Sequence, residues 1–290
     1  MAHPRGVIWP ALVAGACLTG CGRDAPRGAD TTHLAVTVPD SAVVTGEWPG
    51  ELGAILLVPS DTDNLAVVVY PVATGSRALA DSGVALLSSS GDVVRRRVGL
   101  SAEDSLRCGD ASLVRLARAT PLTWTIGIHS AIAIPLRADS MDALSAADSA
   151  AYAAEMARLA SAVGAQHATR FTGLPFTVAT LRRFRIEGRE VVVAQVVRRL
   201  NQEANPLEER SLIVAERPSA ARGPFTMVHS ARSDGSEDNI DHFDLLAALR
   251  TAERALVVIA RERPTGTTFD ILERDAAGAW TVKWSRSIAC

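Results

Sequence analysis

Hydrophobic residues follow a strand pattern along most of the chain. A continuous apolar run at Leu65–Tyr70, bounded by polar residues and a proline, is typical of a strand covered on both faces. Segments 84–87 and 93–98 flank Ser90-Gly91, which predicts a hairpin. Between 122 and 129, apolar and polar residues alternate, which predicts a half-buried strand with one face in water.

One amphipathic helix is predicted near the middle of the chain, over residues 139–164. Apolar residues recur there at helical spacing, Asp139 or Ser140 is placed to cap the start, and Gly164 to cap the end. The flanks are acidic, which favours packing of the helix against a sheet over binding to a membrane surface or a partner helix.

Strands resume after residue 173 in two series of similar layout. We predict strands at 191–197, 212–215 and 225–228, and then at 256–260, 268–272 and 280–284. The segments 65–70, 84–87 and 93–98 offer a third such series, and recurring short strands indicate a propeller or a meandering sheet. Segment 241–250 lies between these two series, and its hydrophobic period is ambiguous; we predict a short helix there.

The predicted fold class is therefore mainly β, as propeller-like or meandering antiparallel sheets, with one central amphipathic helix. We predict a single β-rich unit at 33–290, made of a β part at 33–136, the helix at 139–164 and a β part at 173–290.

The beginning of the chain has the layout of a secretory signal peptide. Arg5 is followed by a mostly apolar run over residues 7–18, which is too short for the roughly 20 residues of a membrane-spanning helix. At its end, Leu18-Thr19-Gly20-Cys21 resembles the lipobox of bacterial lipoproteins. The resemblance implies that residues 1–20 are removed and that acylated Cys21 holds the chain on a lipid bilayer. A plain secretory signal with an incidental cysteine is the alternative.

The same resemblance predicts a location in the cell. Gly22 directly after the cysteine favours the outer membrane, and residues 21–32 form the lipidated start and a polar tether of at most about 40 Å. We expect the folded part in the periplasm or at the cell surface.

A second resemblance concerns the last strand series. Its apolar strand from Leu256, with Trp280 and Trp284 in the last strand of the series, resembles a degenerate blade of the FG-GAP type of β-propeller. The calcium-loop acids of that family are absent before Leu256, where Arg250 and Arg254 stand instead.

Two cysteines remain for the folded part. Cys17 leaves with the signal and Cys21 takes lipid, so Cys108 and Cys290 are candidates for a disulfide in an oxidising compartment. Two free thiols are the alternative. If the bond forms, the C-terminus is fastened to the N-terminal half, which favours one closed unit.

Composition narrows the possible partners. The formal net charge is −2 and aromatic residues make up 4% of the chain, so neither a basic surface nor a stacking platform for nucleic acid is expected. We predict that Arg182, Arg183 and Arg185 occupy exposed or edge strand positions.

Sequential motifs for catalysis and metal binding are absent. The chain lacks G-x-S-x-G, H-E-x-x-H, a P-loop and a dinucleotide fingerprint, and its histidines are isolated in sequence, with His129 on the polar side of its strand. Residues 234, 236 and 238 have calcium-loop spacing, but Asn239 and Leu245 stand where that loop needs glycine and glutamate. We predict a solvated turn that caps the following segment through Asp241, with no metal and no cofactor.

A polar loop remains as a candidate binding surface. Asn201, Gln202, Glu203 and Asn205 join two apolar strands and offer hydrogen-bonding side chains, although an ordinary exposed turn would look the same. The sequence therefore favours a non-catalytic binding or scaffolding module of the bacterial cell envelope, with an envelope protein as a possible partner. The alternative is an envelope hydrolase whose site is assembled only in the fold.

Overall fold

The computed structural model describes residues 43–60, 64–71, 79–99, 107–108, 111–118, 123–129, 132–164, 169–200, 206–220, 223–252 and 254–289. The strands in the first half are β1 (Val44–Gly46), β2 (Leu56–Pro59), β3 (Leu65–Tyr70), β4 (Gly83–Ser88), β5 (Val93–Gly99), β6 (Arg107–Cys108), β7 (Ala111–Leu116), β8 (Trp124–Ile128), β9 (Ile134–Pro135) and β10 (Asp139–Ser140). Helix α1 (Ala146–Gly164) follows. The later strands are β11 (Thr177–Ile186), β12 (Arg189–Leu200), β13 (Leu207–Pro218), β14 (Thr226–Ser236), β15 (His242–Arg250), β16 (Ala255–Arg263), β17 (Gly266–Arg274) and β18 (Trp280–Ile288). The predicted class, mainly β with one helix, is confirmed.

Six strands of the first half close into an antiparallel barrel. The order is β3-β2-β8-β4-β5-β7, and β7 pairs back with β3, while β6 extends the sheet beyond β7. Alternate residues of these strands fill the interior, among them Leu57, Val68 and Leu86. Gly127 lies against them so closely that an added Cβ would stand 2.9 Å from Leu86 Cδ2 and 3.3 Å from Leu57 Cβ.

The barrel explains why Leu65–Tyr70 is apolar throughout. Its residues alternate between the barrel interior, where Val68 lies, and the outer wall, where Val67 and Val69 pack against another sheet. The prediction of a strand covered on both faces is therefore confirmed. The wet face predicted between 122 and 129 is found only in part, because Thr123 is exposed whereas Gly127 on the same face is buried inside the barrel. His129 at the end of this strand is exposed, as predicted.

The remaining strands form two antiparallel sheets in which β10 to β14 and β15 to β18 follow chain order, while β1 and β9 add the two edges of the second sheet. The five-stranded sheet runs β10-β11-β12-β13-β14, and the six-stranded sheet runs β1-β18-β17-β16-β15-β9. Of the two architectures predicted from the sequence, the meandering sheet is the one found in these strands. Trp280 faces the five-stranded sheet and Trp284 faces the barrel, because a β-bulge between the two residues reverses the alternation.

The helix predicted over 241–250 is wrong. Residues His242–Arg250 form strand β15, which pairs with β16 and β9. Phe243 and Leu245 contribute to the core shared with the five-stranded sheet, whereas Ala247 and Leu249 contribute to the core shared with the barrel. A sequence rich in leucine and alanine becomes a strand here because both of its faces are covered by other sheets.

Helix α1 begins later than predicted. Asp139 and Ser140 form the edge strand β10 rather than a cap, and the helix starts at Ala146. Ser145 caps it instead, since its Oγ accepts a hydrogen bond of 3.1 Å from the backbone N–H of Asp148. The buried residues of the helix pack against β11, β12 and β13, which confirms the predicted sheet packing.

Four layers result: α1, the five-stranded sheet, the six-stranded sheet and the barrel. Separate apolar cores fill the spaces between successive layers, and a fourth fills the barrel. The six-stranded sheet is the central layer, covered by the barrel on one face and by the five-stranded sheet on the other. None of the helices in the described ranges is long and apolar enough to cross a membrane.

Candidate functional site

Most of the site residues predicted from the sequence lie outside the described residues. These are Cys21, Cys290 and the loop residues Asn201, Gln202, Glu203 and Asn205. Cys108 ends strand β6, but its side chain is likewise outside the description. Lipidation, the disulfide and the polar binding loop therefore stay predictions.

A cavity of about 330 Å³ lies between the outer wall of the barrel and the six-stranded sheet. Its wall is mainly apolar and is built by seven strands together with the residue that follows β2. The lining residues are Val58, Pro59, Ser60, Val67, Thr125, Leu246, Ala260, Glu262, Thr267, Phe269 and Ile288.

Strand alternation places these side chains. On β16, Leu256, Val258 and Ala260 face the barrel, and Glu262 continues the same series at the end of the strand. The barrel-facing core therefore ends in a carboxylate where the cavity begins.

Two contacts fix the shape of the cavity. Thr125 of the barrel lies with its Oγ 2.6 Å from the carbonyl oxygen of Leu246 in the six-stranded sheet, and donates to it. Gly266, at the start of β17, has φ +139, and an added Cβ would lie 2.4 Å from the carbonyl oxygen of Ile288. Because only glycine fits this close approach, it holds β17 and β18 together at the cavity wall.

Glu262 gives the cavity its charge. Its side chain is exposed at the cavity mouth, and no other described lining residue is ionisable. His242 lies directly across the strand pair from Glu262, and Asp244 lies diagonally from it. Partial desolvation raises the pKa of the Glu262 carboxyl, the Asp244 carboxylate raises it further, and His242 opposes the shift.

The arginines that flank Glu262 in sequence are engaged elsewhere. Arg263 donates from Nη2 to Asp241 Oδ2 over 2.9 Å, and Arg261 lies 3.8 Å from Asp270. Asp241 is 1% exposed, so the prediction that it caps a solvated turn is wrong. Its carboxylate is held by arginines, and the segment that follows it is a strand.

A second polar cluster lies under helix α1. The Tyr152 hydroxyl donates to Glu190 Oε1 over 2.5 Å, and Arg217 donates from Nε to Glu190 Oε2 over 2.7 Å. Arg183 donates to Asp139 over 2.7 Å and lies above the Tyr152 ring. Burial raises the pKa of the Tyr152 hydroxyl, so it stays protonated.

This cluster contradicts the exposed position predicted for Arg183, whose side chain is 21% exposed and lies within an ionic network. A cavity of about 490 Å³ opens beside Tyr152 and Arg217. Tyr152 of the helix bonds Glu190 of the five-stranded sheet, so the cluster connects these two layers. Because both oxygens of Glu190 already accept hydrogen bonds from Tyr152 and Arg217, the cluster offers no free acid or base.

The described histidines do not form a nucleophilic site. His229 Nδ1 lies 3.1 Å from the carbonyl oxygen of Trp280, and burial lowers the pKa of His229. The His242 ring lies against the guanidinium of Arg210, and His129 is exposed. Within the described ranges, none of the three bonds a hydroxyl or a thiol, and no cluster of ligand residues is suited to a metal ion.

No protein-family model matches the chain, and neither the curated proteins nor the solved structures contain a significant match. The function is therefore inferred from the residues of this chain alone.

The cavity was not predictable from the sequence, because its lining residues are spread from position 58 to position 288. One local signal was present. In β16, the apolar series at 256, 258 and 260 is followed at the same spacing by Glu262. An acidic residue that continues a core-facing series indicates a polar group at the edge of a buried surface.

Proposed function

We propose that this chain is a lipid-anchored protein of the bacterial cell envelope, and that its folded part binds a small, mainly apolar molecule. The observation that carries the proposal is the cavity between the barrel and the six-stranded sheet, with apolar walls and one carboxylate. Its volume of about 330 Å³ falls within the range of roughly 300–1,000 Å³ that small-molecule sites occupy.

The walls of the cavity favour a preformed site. Val67 belongs to a closed barrel, and Phe269 belongs to the central sheet that two other layers cover. Thr125 bonds one wall to the other. A ligand that enters such a site does not have to order its surroundings, so little of the binding free energy is lost to conformational entropy.

The lipobox-like Leu18-Thr19-Gly20-Cys21 supports the envelope location. Acyl chains on Cys21 would contribute about 0.8 kcal/mol for each buried CH₂ group, and several chains together give stable anchoring. The intact mass of the membrane-extracted protein tests this part. We expect a chain that lacks residues 1–20 and carries acyl groups; an unmodified Cys21 thiol would contradict it.

Binding is tested with N-phenyl-1-naphthylamine, an uncharged dye that fluoresces in apolar surroundings. The full chain should bind it saturably, and Thr267→Phe should weaken binding about tenfold because the larger side chain fills the cavity. Thr281→Phe is the matched control, since Thr281 is exposed on β18 near the end remote from Ile288. Equal dye binding by the two variants, or no saturable binding by the unaltered chain, would contradict the proposal.

A further inference from the structure

Glu262 is the one charged side chain among the described residues that line the cavity. Its carboxylate forms no hydrogen bond or ion pair with any residue in the described ranges, because Arg261 and Arg263 pair with other carboxylates. An apolar cavity thus has an unneutralised anion at its mouth. Both features together constrain what the cavity can hold.

We infer that the ligand of this cavity is an amphipathic amine, with its apolar body against Val67, Phe269 and Ile288 and its ammonium group beside Glu262. The inference rests on the proposed function, since it names the chemical class of that ligand. An apolar molecule without a cation would contact the same walls but leave the Glu262 carboxylate without a counter-ion. A carboxylic acid would bring a second anion towards Glu262.

The groups around Glu262 set the local potential. Asp244 on the neighbouring strand adds negative charge, and both carboxylates attract a cation. His242 is directly opposite Glu262 and opposes this attraction, and the guanidinium of Arg210 lies against the His242 ring. An ammonium group is therefore held most strongly when Glu262 is ionised.

The volume sets the size of the ligand. About 330 Å³ corresponds to about eleven water molecules at roughly 30 Å³ each. A linear chain of about eight carbons with a terminal amine is of this size, whereas a diacyl lipid is much larger.

The test compares octylamine with octanol, which has the same apolar chain but no charge. Each compound displaces the bound dye from the full chain at neutral pH. We expect octylamine to displace it at about one tenth of the octanol concentration, and Glu262→Gln to abolish this difference while leaving octanol unchanged. Glu187→Gln is the control, because it removes the same charge from an exposed carboxylate that contacts Arg274, at the end of β17 remote from the cavity.

The outcomes separate the two proposals. Equal displacement by octanol and octylamine would overturn the inference that the ligand is an amine, but not the proposal that the cavity binds a small molecule. An octylamine preference that survives in Glu262→Gln would have the same consequence. Failure of the dye to bind at all removes the proposed function itself. Acidification through the carboxyl range should abolish the octylamine preference without weakening octanol; a preference that persists at acid pH also overturns the amine. Circular dichroism of Glu262→Gln should match the unaltered chain.

Discussion

Glu216 and Glu187 contact the same arginine in very different surroundings, which allows a sharp prediction. The Glu216 side chain is fully buried, and Arg274 donates to it from Nε over 2.8 Å. Trp280 donates from Nε1 to the same oxygen over 2.6 Å. Arg189 donates to the other oxygen over 2.6 Å. The bonds from Arg274 and Trp280 connect the five-stranded sheet, which carries Glu216, to the six-stranded sheet, whereas the bond from Arg189 lies within the five-stranded sheet.

Glu216→Ala should therefore destabilise the chain strongly. It leaves Arg274, whose side chain is 13% exposed, and the Trp280 N–H without their acceptor. Breaking a buried, fully bonded ion pair costs about 3–5 kcal/mol. For a domain of this size, 1 kcal/mol lowers Tm by about 2–4 °C, so we expect a decrease of roughly 10 °C.

Glu187→Ala is the control. Glu187 lies 3.4 Å from Arg274 Nη1, but its side chain is 49% exposed. Exposed ion pairs contribute about 0–1 kcal/mol. Urea denaturation followed by both circular dichroism and tryptophan fluorescence gives the two free energies of unfolding. If Glu216→Ala and Glu187→Ala differ by less than about 1 kcal/mol, the assignment of Glu216 as a buried connection between the sheets is refuted.

Three further predictions concern stability. Ser145→Ala removes the helix cap and should lower the free energy of unfolding by about 1 kcal/mol, whereas Ser161→Ala, on the exposed helix surface, should change it little; urea titration measures both. Gly127→Ala overpacks the barrel and should cost about 1–3 kcal/mol in the same assay. Gly83→Ala should cost less, because a Cβ added there would meet no atom within 4 Å. Glu262→Gln should raise Tm at neutral pH, because the raised pKa of Glu262 means that its ionised form destabilises the folded chain. The gain in Tm should vanish below the ordinary carboxyl pKa of 4.5. A gain that persists at that pH would contradict the prediction.

Local patterns in the sequence predict those elements whose bounds and covered faces are indicated by residues close to them in the sequence. Leu65–Tyr70 has the predicted bounds, because its polar flanks stop the apolar run at both ends. The hairpin of β4 and β5 was likewise predictable from Ser90-Gly91. The strands of both meanders extend further than predicted, since their ends carry arginines and glutamates that pair with each other across strands.

Features that depend on distant residues were not predictable. Strand β15 has a composition that suits a helix, and its true state follows from the sheets on either side of it. Closure of the barrel depends on the pairing of β3 with β7, about 50 residues apart. The sequence predicts Arg182, Arg183 and Arg185 in exposed or edge strands; Arg185 is exposed, whereas Arg183 pairs with Asp139 of the additional edge strand β10.

Binding of a small molecule between the barrel and the six-stranded sheet is tested most directly by methyl-group NMR of the full chain during titration with octylamine. We expect saturable shifts for methyl groups that line the cavity, namely those of Val58, Val67, Leu246 and Ile288. Methyl groups on the opposite face of the central sheet, those of Val257 and Ile259, should stay unchanged. Shifts confined to surface residues, or no saturable shift among the cavity methyl groups, would show that the molecule does not bind there.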